Sequence, residues 1–281
     1  MAHIEGQFEG CKNLTLYYQC WLPSHEPKAV LLVAHGLAEH SGRYTNLANH
    51  FVPKGYAVYG FDQRGHGKSP GLRGDVESFS CFVNDLKTFL GIIHDKHPGT
   101  KVFILGHSVG GAIATACAIS HQDKFDGLIL SAATIKAGNS VPPGLIMVAS
   151  LLASLLPKVG LYTIDASALS CDKAIVDAYV NDPLVYQGKI RTRLGVEIIK
   201  AMQMLLSQIE RIHLPILIMH GTADRLSDPK GSELLYNGVN SKDRTLKLYD
   251  RFFHEIFNEP GCAQVFADIE GWLAAHVRPR F

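Results

Sequence analysis

Val102-Phe103-Ile104-Leu105-Gly106-His107-Ser108-Val109-Gly110-Gly111-Ala112 is the stretch that decides the fold. Four apolar residues read as a buried strand over Val102–Leu105. The run from Val109 to His121 has no proline and reads as a helix. Between them stands Gly-x-Ser-x-Gly. Two glycines beside a serine permit a tight, strained strand-to-helix turn that lifts the hydroxyl above a sheet edge. The helix N-terminus favours negative charge next to that hydroxyl. A Gly/Ser turn can also do no more than cap a helix, but strand before and helix after favour the exposed nucleophile.

Working outward, Ala29–Ala34 and Ile216–Met219 are equally apolar and end at a polar or Gly turn. Tyr56–Phe61, Leu128–Ser131 and Leu246–Tyr249 are weaker versions. Leu14–Trp21 alternates and predicts an outer antiparallel strand near Ile4–Phe8. Helical stretches separate these runs at Tyr44–Lys54, Ser80–His94, Val109–His121, Gly231–Val239 and Cys262–His276. Strand alternating with helix predicts an α/β architecture, a mostly parallel central sheet with helices on both faces. The rhythm fails between about Thr134 and Gln208, where no strand is expected. This predicts a core of residues 1–133 and 209–281 and a helical cap of residues 134–208 inserted on the ligand-binding edge.

The chain has 281 residues, 47% of them apolar, enough for a substantial core. Lys plus Arg number 27 against 26 for Asp plus Glu, and no basic stretch suggests a nucleic-acid partner. The six cysteines form no CxxC pair, which points to a reduced, cytoplasmic protein without a structural metal. The N-terminus lacks the basic and apolar regions of a signal peptide. Residues 137–157 carry no charge, but Pro142-Pro143 breaks them. The remaining helix is too short to span a bilayer. The expectation is that residues 144–157 lie over the domain and touch a membrane surface without crossing it.

A serine hydroxyl needs a base, and the base an orienting acid. After a turn of this kind the chain order is Ser, acid, His. Asp224 follows the strand Ile216–Met219, in His220-Gly221-Thr222-Ala223-Asp224, and His254 follows Leu246–Tyr249, in Phe252-Phe253-His254-Glu255. Of fourteen histidines, position alone singles out His254. Asp228 and Asp250 are rivals to Asp224, with Asp228 suited to cap the next helix. Donors for an oxyanion are expected from the Val109 N–H and, after Ala29–Ala34, the Leu37 N–H beside Gly36. His35 reads as hydrogen-bonding support. Asp62-Gln63-Arg64-Gly65-His66-Gly67-Lys68-Ser69 reads as a laced structural loop.

With these residues assembled the chain resembles the monoacylglycerol lipases of the α/β-hydrolase fold over nearly its whole length. The resemblance is carried by His35-Gly36-Leu37-Ala38-Glu39-His40-Ser41-Gly42-Arg43-Tyr44, by Gly106–Ala114, by residues 177–184 and by Ala223-Asp224-Arg225-Leu226. It implies Ser108, Asp224 and His254 as triad, Leu37 and Val109 as oxyanion donors, and Glu39, Arg43 and Tyr179 around a glycerol head group. It implies cleavage of monoacylglycerol to fatty acid and glycerol through an acyl-enzyme, with no metal or cofactor. The chain departs from the family at Ala38 (usually Gly), Val109 (usually Met), Ser227 (Cys in some members) and Phe257 (usually a second His). A lysophospholipase or general carboxylesterase on the same scaffold is the nearest alternative. A non-catalytic lipid-binding member is more distant, because the triad is intact.

Overall fold

Strands β3 (Ala29–Ala34), β4 (Tyr56–Phe61) and β5 (Val102–His107) are buried at every residue, as strands covered on both faces must be. They lie at the centre of an eight-stranded sheet in a computed structural model that describes residues 1–136 and 156–277. The hairpin of β1 (Ala2–Glu9) and β2 (Thr15–Leu22) forms one edge and pairs antiparallel with β4. Beyond β5 lie β6 (Gly127–Ser131), β9 (Ile216–Gly221) and β10 (Arg244–Tyr249), all parallel. The spatial order is β1-β2-β4-β3-β5-β6-β9-β10.

That order turns back on itself between β3 and β5. The helix after β3, α1 (Thr45–Phe51), packs on one face with α7 (Ala263–Val277). The helix after β5, α3 (Val109–His121), packs on the other with α2 (Phe79–Lys96). Neighbouring strands whose chains leave to opposite faces open a crevice at their carboxyl ends. Ser108 and the 35–39 loop sit at that crevice.

Two glycines permit the packing of α3. A Cβ on Gly110 would lie 2.0 Å from the Ala34 carbonyl oxygen, and one on Gly106 would lie 2.7 Å from the Gly110 oxygen. Only bare backbone lets α3 approach β3 this closely.

Among the described residues, the chain adds no strand to the main sheet between Ser131 and Ile216. The expectation of no strand at all in that stretch needs correction. β7 (Gly160–Tyr162) and β8 (Ile190–Arg191) pair antiparallel as a separate ribbon, too short to carry any periodicity. The segment between β7 and β8 also holds a helix, α4 (Lys173–Asn181), started by the Asp172 carboxylate accepting from the Ala174 N–H. Next comes α5 (Thr192–Leu206), whose Leu194, Ile198, Ala201 and Leu205 join the core beside α2 and α3. Helix α6 (Pro229–Gly238) then leads to β10. The apolar helix expected at 144–157 lies outside the described residues except for Leu156 and Pro157. Among the described residues no helix is long and apolar enough to cross a membrane.

Candidate active site

Ser108 stands between β5 and α3 with φ 52° and ψ −122°, a left-handed conformation for a residue with a Cβ. Such strain costs about 1–3 kcal/mol and persists only where the surroundings fix it. Here four backbone bonds do so. The Ser108 N–H donates to Ser131 O at 3.0 Å, and its carbonyl accepts from Gly111, Ala112 and Thr134 at 2.9, 3.2 and 3.0 Å.

Asp224 and His254 come from the loops after β9 and β10. His254 Nδ1 lies 2.7 Å from Asp224 Oδ2, and the same oxygen pairs with His220 Nε2 at 2.9 Å. The other carboxylate oxygen accepts from the N–H groups of Leu226 and Ser227, at 2.7 and 3.1 Å. Burial works against ionisation of Asp224, but His254 and His220 outweigh it and hold the carboxyl well below the usual carboxylate range. Burial likewise opposes protonation of His254, yet the Asp224 charge and hydrogen bond raise its imidazole above the ordinary value. The rivals are placed elsewhere. Asp228 caps α6 through the Lys230 N–H at 3.0 Å and meets Lys136 Nζ at 2.7 Å. Asp250 is largely exposed and pairs with Thr222 and Arg251.

Ser108 and His254 line one cavity of about 140 Å³, with Leu37 and Val109 on its wall. The Ser108 Oγ is turned to Thr134 Oγ1, at 3.3 Å, rather than to His254. Bonds of this kind are often loose without substrate and tighten when it binds. Val109 is the first residue of α3, so its N–H has no acceptor within the helix. The Gly36 N–H is engaged by Glu39, which leaves Leu37 the next donor on that loop. A Cβ on Gly36 would lie 3.2 Å from Ser108 Cβ, so the loop passes directly against the hydroxyl. Ala38, where the family usually has glycine, takes φ 66° with its side chain buried.

The cavity wall is mixed in polarity. Glu39 and Tyr179 line it, whereas Arg43 lines a smaller cavity behind, with its guanidinium 4.8 Å from the Tyr179 ring centre. Ile164, Leu169, Ile198 and Leu226 add apolar surface, and Ile164, Leu169 and Leu226 pack in one cluster with Tyr179. Phe257 is buried against His107 and Phe266 and so offers no polar atom to the cavity.

Four contributors carried no earlier assignment. His220 backs Asp224 from within the quoted His-Gly-x-x-Asp run. Glu255 lines the cavity one residue after His254, and adjacency was its only sequence signal. Thr134 and Ser227 link their hydroxyls at 3.3 Å beside Ser108, and they meet only through folding. The supporting residues, by contrast, lie where the sequence put them. His35 Nε2 accepts from the Gln63 N–H at 2.9 Å. Asp62 ties Ser41 and Lys68 to its loop, and Arg64 pairs with Asp85.

A hydroxyl on a strained elbow, an imidazole held by a buried carboxylate, and a half-apolar cavity are equipment for acyl transfer. Residues 25–261 match the family described as serine aminopeptidase, S33. A monoacylglycerol lipase of Mycolicibacterium smegmatis is 37% identical, covering 97% of this chain and 98% of its own. A monoglyceride lipase of Rattus norvegicus is 38% identical, covering 99% and 90%. The crystal structure of a soluble monoglyceride lipase variant from Saccharomyces cerevisiae, in complex with a substrate analog, is 28% identical with TM-score 0.89, covering 100% of this chain and 97% of its own. The chain belongs to the monoacylglycerol lipase family, serine ester hydrolases of the α/β-hydrolase fold.

Proposed function

We propose that the protein hydrolyses monoacylglycerol to fatty acid and glycerol, with Ser108 as nucleophile, His254 as base and Asp224 as orienting acid. His254 takes the hydroxyl proton as Ser108 Oγ attacks the ester carbonyl, and the N–H groups of Leu37 and Val109 receive the oxyanion. The ester C–O bond then breaks, His254 returns the proton to the departing glycerol, and an acyl-serine remains. Water, deprotonated by the same imidazole, releases the fatty acid.

The observation that carries the substrate is the mixed lining of the cavity. Glu39, Glu255 and Tyr179 share the lining with Ser108 and the aliphatic Ile164, Leu169, Ile198 and Leu226. Free glycerol hydroxyls suit the polar groups and an acyl chain the aliphatic ones. A second acyl chain would leave those groups buried and unpaired, a penalty of about 1–3 kcal/mol per group. The test is kcat/KM for mono-, di- and triacylglycerol and lysophosphatidylcholine bearing one common acyl chain. Monoacylglycerol should lead by roughly tenfold to a hundredfold over the di- and triacyl esters. A best rate on triacylglycerol or lysophosphatidylcholine would leave only the general esterase class.

We also place the enzyme in the cytoplasm at a lipid surface, with residues 134–208 as the cap that meets it. Support comes from six unpaired thiols and from Leu156, Val159 and Tyr162, exposed by 53%, 41% and 50%. Tyr162 also lines the cavity, so the apolar patch adjoins its mouth. Liposome flotation of the wild type against Val159→Glu/Tyr162→Glu tests this. Equal partitioning of a folded variant would remove the lipid surface from the reading.

A further inference from the structure

Two carboxylates line the catalytic cavity. Glu39 comes from the loop after β3, Glu255 directly follows His254, and they are 5% and 4% exposed. No Lys or Arg is among the described residues lining that cavity. The nearby cation is Arg43, in the wall behind.

Arg43 is not shared evenly between them. Its Nη2 lies 2.7 and 2.6 Å from the two oxygens of Glu255, and Asn258 Nδ2 adds a bond to Glu255 at 2.8 Å. Its Nε stands 3.4 Å from Glu39 Oε2 and makes no hydrogen bond. Glu39 is held by neutral donors, the Tyr44 hydroxyl at 2.9 Å and the Gly36 N–H. One carboxylate therefore takes the guanidinium hydrogen bonds, while the other keeps a longer ion pair and is hydrogen-bonded by dipoles alone. Burial, and then the Glu255 charge, push the Glu39 carboxyl up. Two buried carboxylates that share one guanidinium leave a negative charge unmatched, which is costly. A cation arriving with the substrate would relieve that cost.

The geometry points to Glu255 as a specificity-determining residue: by engaging Arg43 it leaves the lining around the leaving alcohol net negative, so that esters of cationic amino-alcohols are accepted beside neutral polyols and anionic phosphate-bearing alcohols are rejected. The chemistry is unchanged, an ester plus water giving a fatty acid and an amino-alcohol. The inference rests on the reading that Glu39 and Glu255 face the leaving alcohol.

The test uses two decanoyl esters that differ in charge alone, decanoylcholine and its carbon isostere, in which a tert-butyl group replaces the trimethylammonium. Wild-type kcat/KM should favour the choline ester by about tenfold, equivalent to about 1.4 kcal/mol. Decanoyl-glycerol phosphate should be cleaved poorly beside decanoyl-glycerol. Glu255→Gln turns Arg43 back to Glu39, so the charge ratio should fall towards one and the phosphate ester should gain. Glu255→Asp, which keeps the charge, should restore the ratio; a merely structural role for Glu255 would not track charge in this way. If Glu255→Gln fails to fold, the wild-type ratio decides alone. A wild-type ratio at or below one overturns the inference, as does a ratio that Glu255→Gln leaves intact. If decanoyl-glycerol is not cleaved while the charge ratio holds, the monoacylglycerol reading fails and this one survives.

Discussion

His254 and His220 share a single oxygen of Asp224, at 2.7 and 2.9 Å. His220 is fully buried and its Nδ1 is fixed by Ser232 Oγ at 2.7 Å, so it cannot swing away. The Asp224 carboxylate is thus clamped from β9 and α6 before it reaches His254. Such a clamp fixes which ring nitrogen of His254 carries the proton, leaving Nε2 free for the nucleophile. The Asp224 carboxylate is a positioned group with its own support.

The Asp224 assignment has a sharp kinetic consequence. Asp224→Asn should cost about 10⁴ in turnover, because an amide in that place favours the wrong imidazole tautomer. Asp228→Asn weakens a helix cap and one ion pair, so it should cost about 1 kcal/mol of stability and little rate. Parallel kinetics and thermal melts on the two variants decide the matter. The reverse ranking would move the acid to Asp228.

Ser108 is expected to be the only essential nucleophile. Ser108→Ala should lower turnover by several orders of magnitude, roughly 10⁶ by analogy with serine hydrolases whose nucleophile is removed. The fold should remain, since the four bonds that fix Ser108 use backbone atoms. A fluorophosphonate probe should label one site on the wild type and none on the variant. Labelling and activity that both persist would refute the assignment.

The pH profile follows from the raised imidazole of His254. A group raised in this way stays protonated to higher pH, and only its neutral form can take the Ser108 proton. The acid limb of kcat/KM should therefore have its midpoint above the ordinary histidine value of about 6.5. Besides Asp224, the Glu255 and Glu39 charges add to the rise. Glu255→Gln should consequently move the midpoint down, towards acid. An upward move would mean that the imidazole does not sense that carboxylate.

How far the sequence reached depends on what each residue needs. The fully buried β3 declares itself by an unbroken apolar run, and both it and the weaker β4 match their expected ends. The elbow was legible because glycine spacing, strand and helix agree at one point. Asp224 and His254 were expected from chain order, and their side chains meet at 2.7 Å. The polar helix α4 did not, since its nine residues rest on one Asp cap and bury little beyond Tyr179. Glu255 and Thr134 were invisible for another reason. Their importance lies in partners 212 and 26 residues away, Arg43 and Ser108. Local pattern cannot encode such meetings.

Thr134 gives the last prediction. Its Oγ1 bridges Ser108 Oγ and Ser227 Oγ, each at 3.3 Å, and all three residues are at most 9% exposed. While Ser108 faces Thr134 it is not donating to His254, so this bond must break before attack. At 3.3 Å it is a long neutral hydrogen bond, worth about 0.5–1.5 kcal/mol net. Thr134→Val keeps the shape and the backbone bond from its N–H to the Ser108 carbonyl but removes the competitor. Acylation by a fluorophosphonate should then speed up about two- to tenfold, the same energy read as a rate. Stability should fall by about 1 kcal/mol, since the Ser227 hydroxyl loses its partner. Thr134→Ser keeps the hydroxyl and should behave like wild type in both measurements. Slower acylation in Thr134→Val, with Thr134→Ser normal, would give the hydroxyl the opposite role, that of holding Ser108 ready for attack.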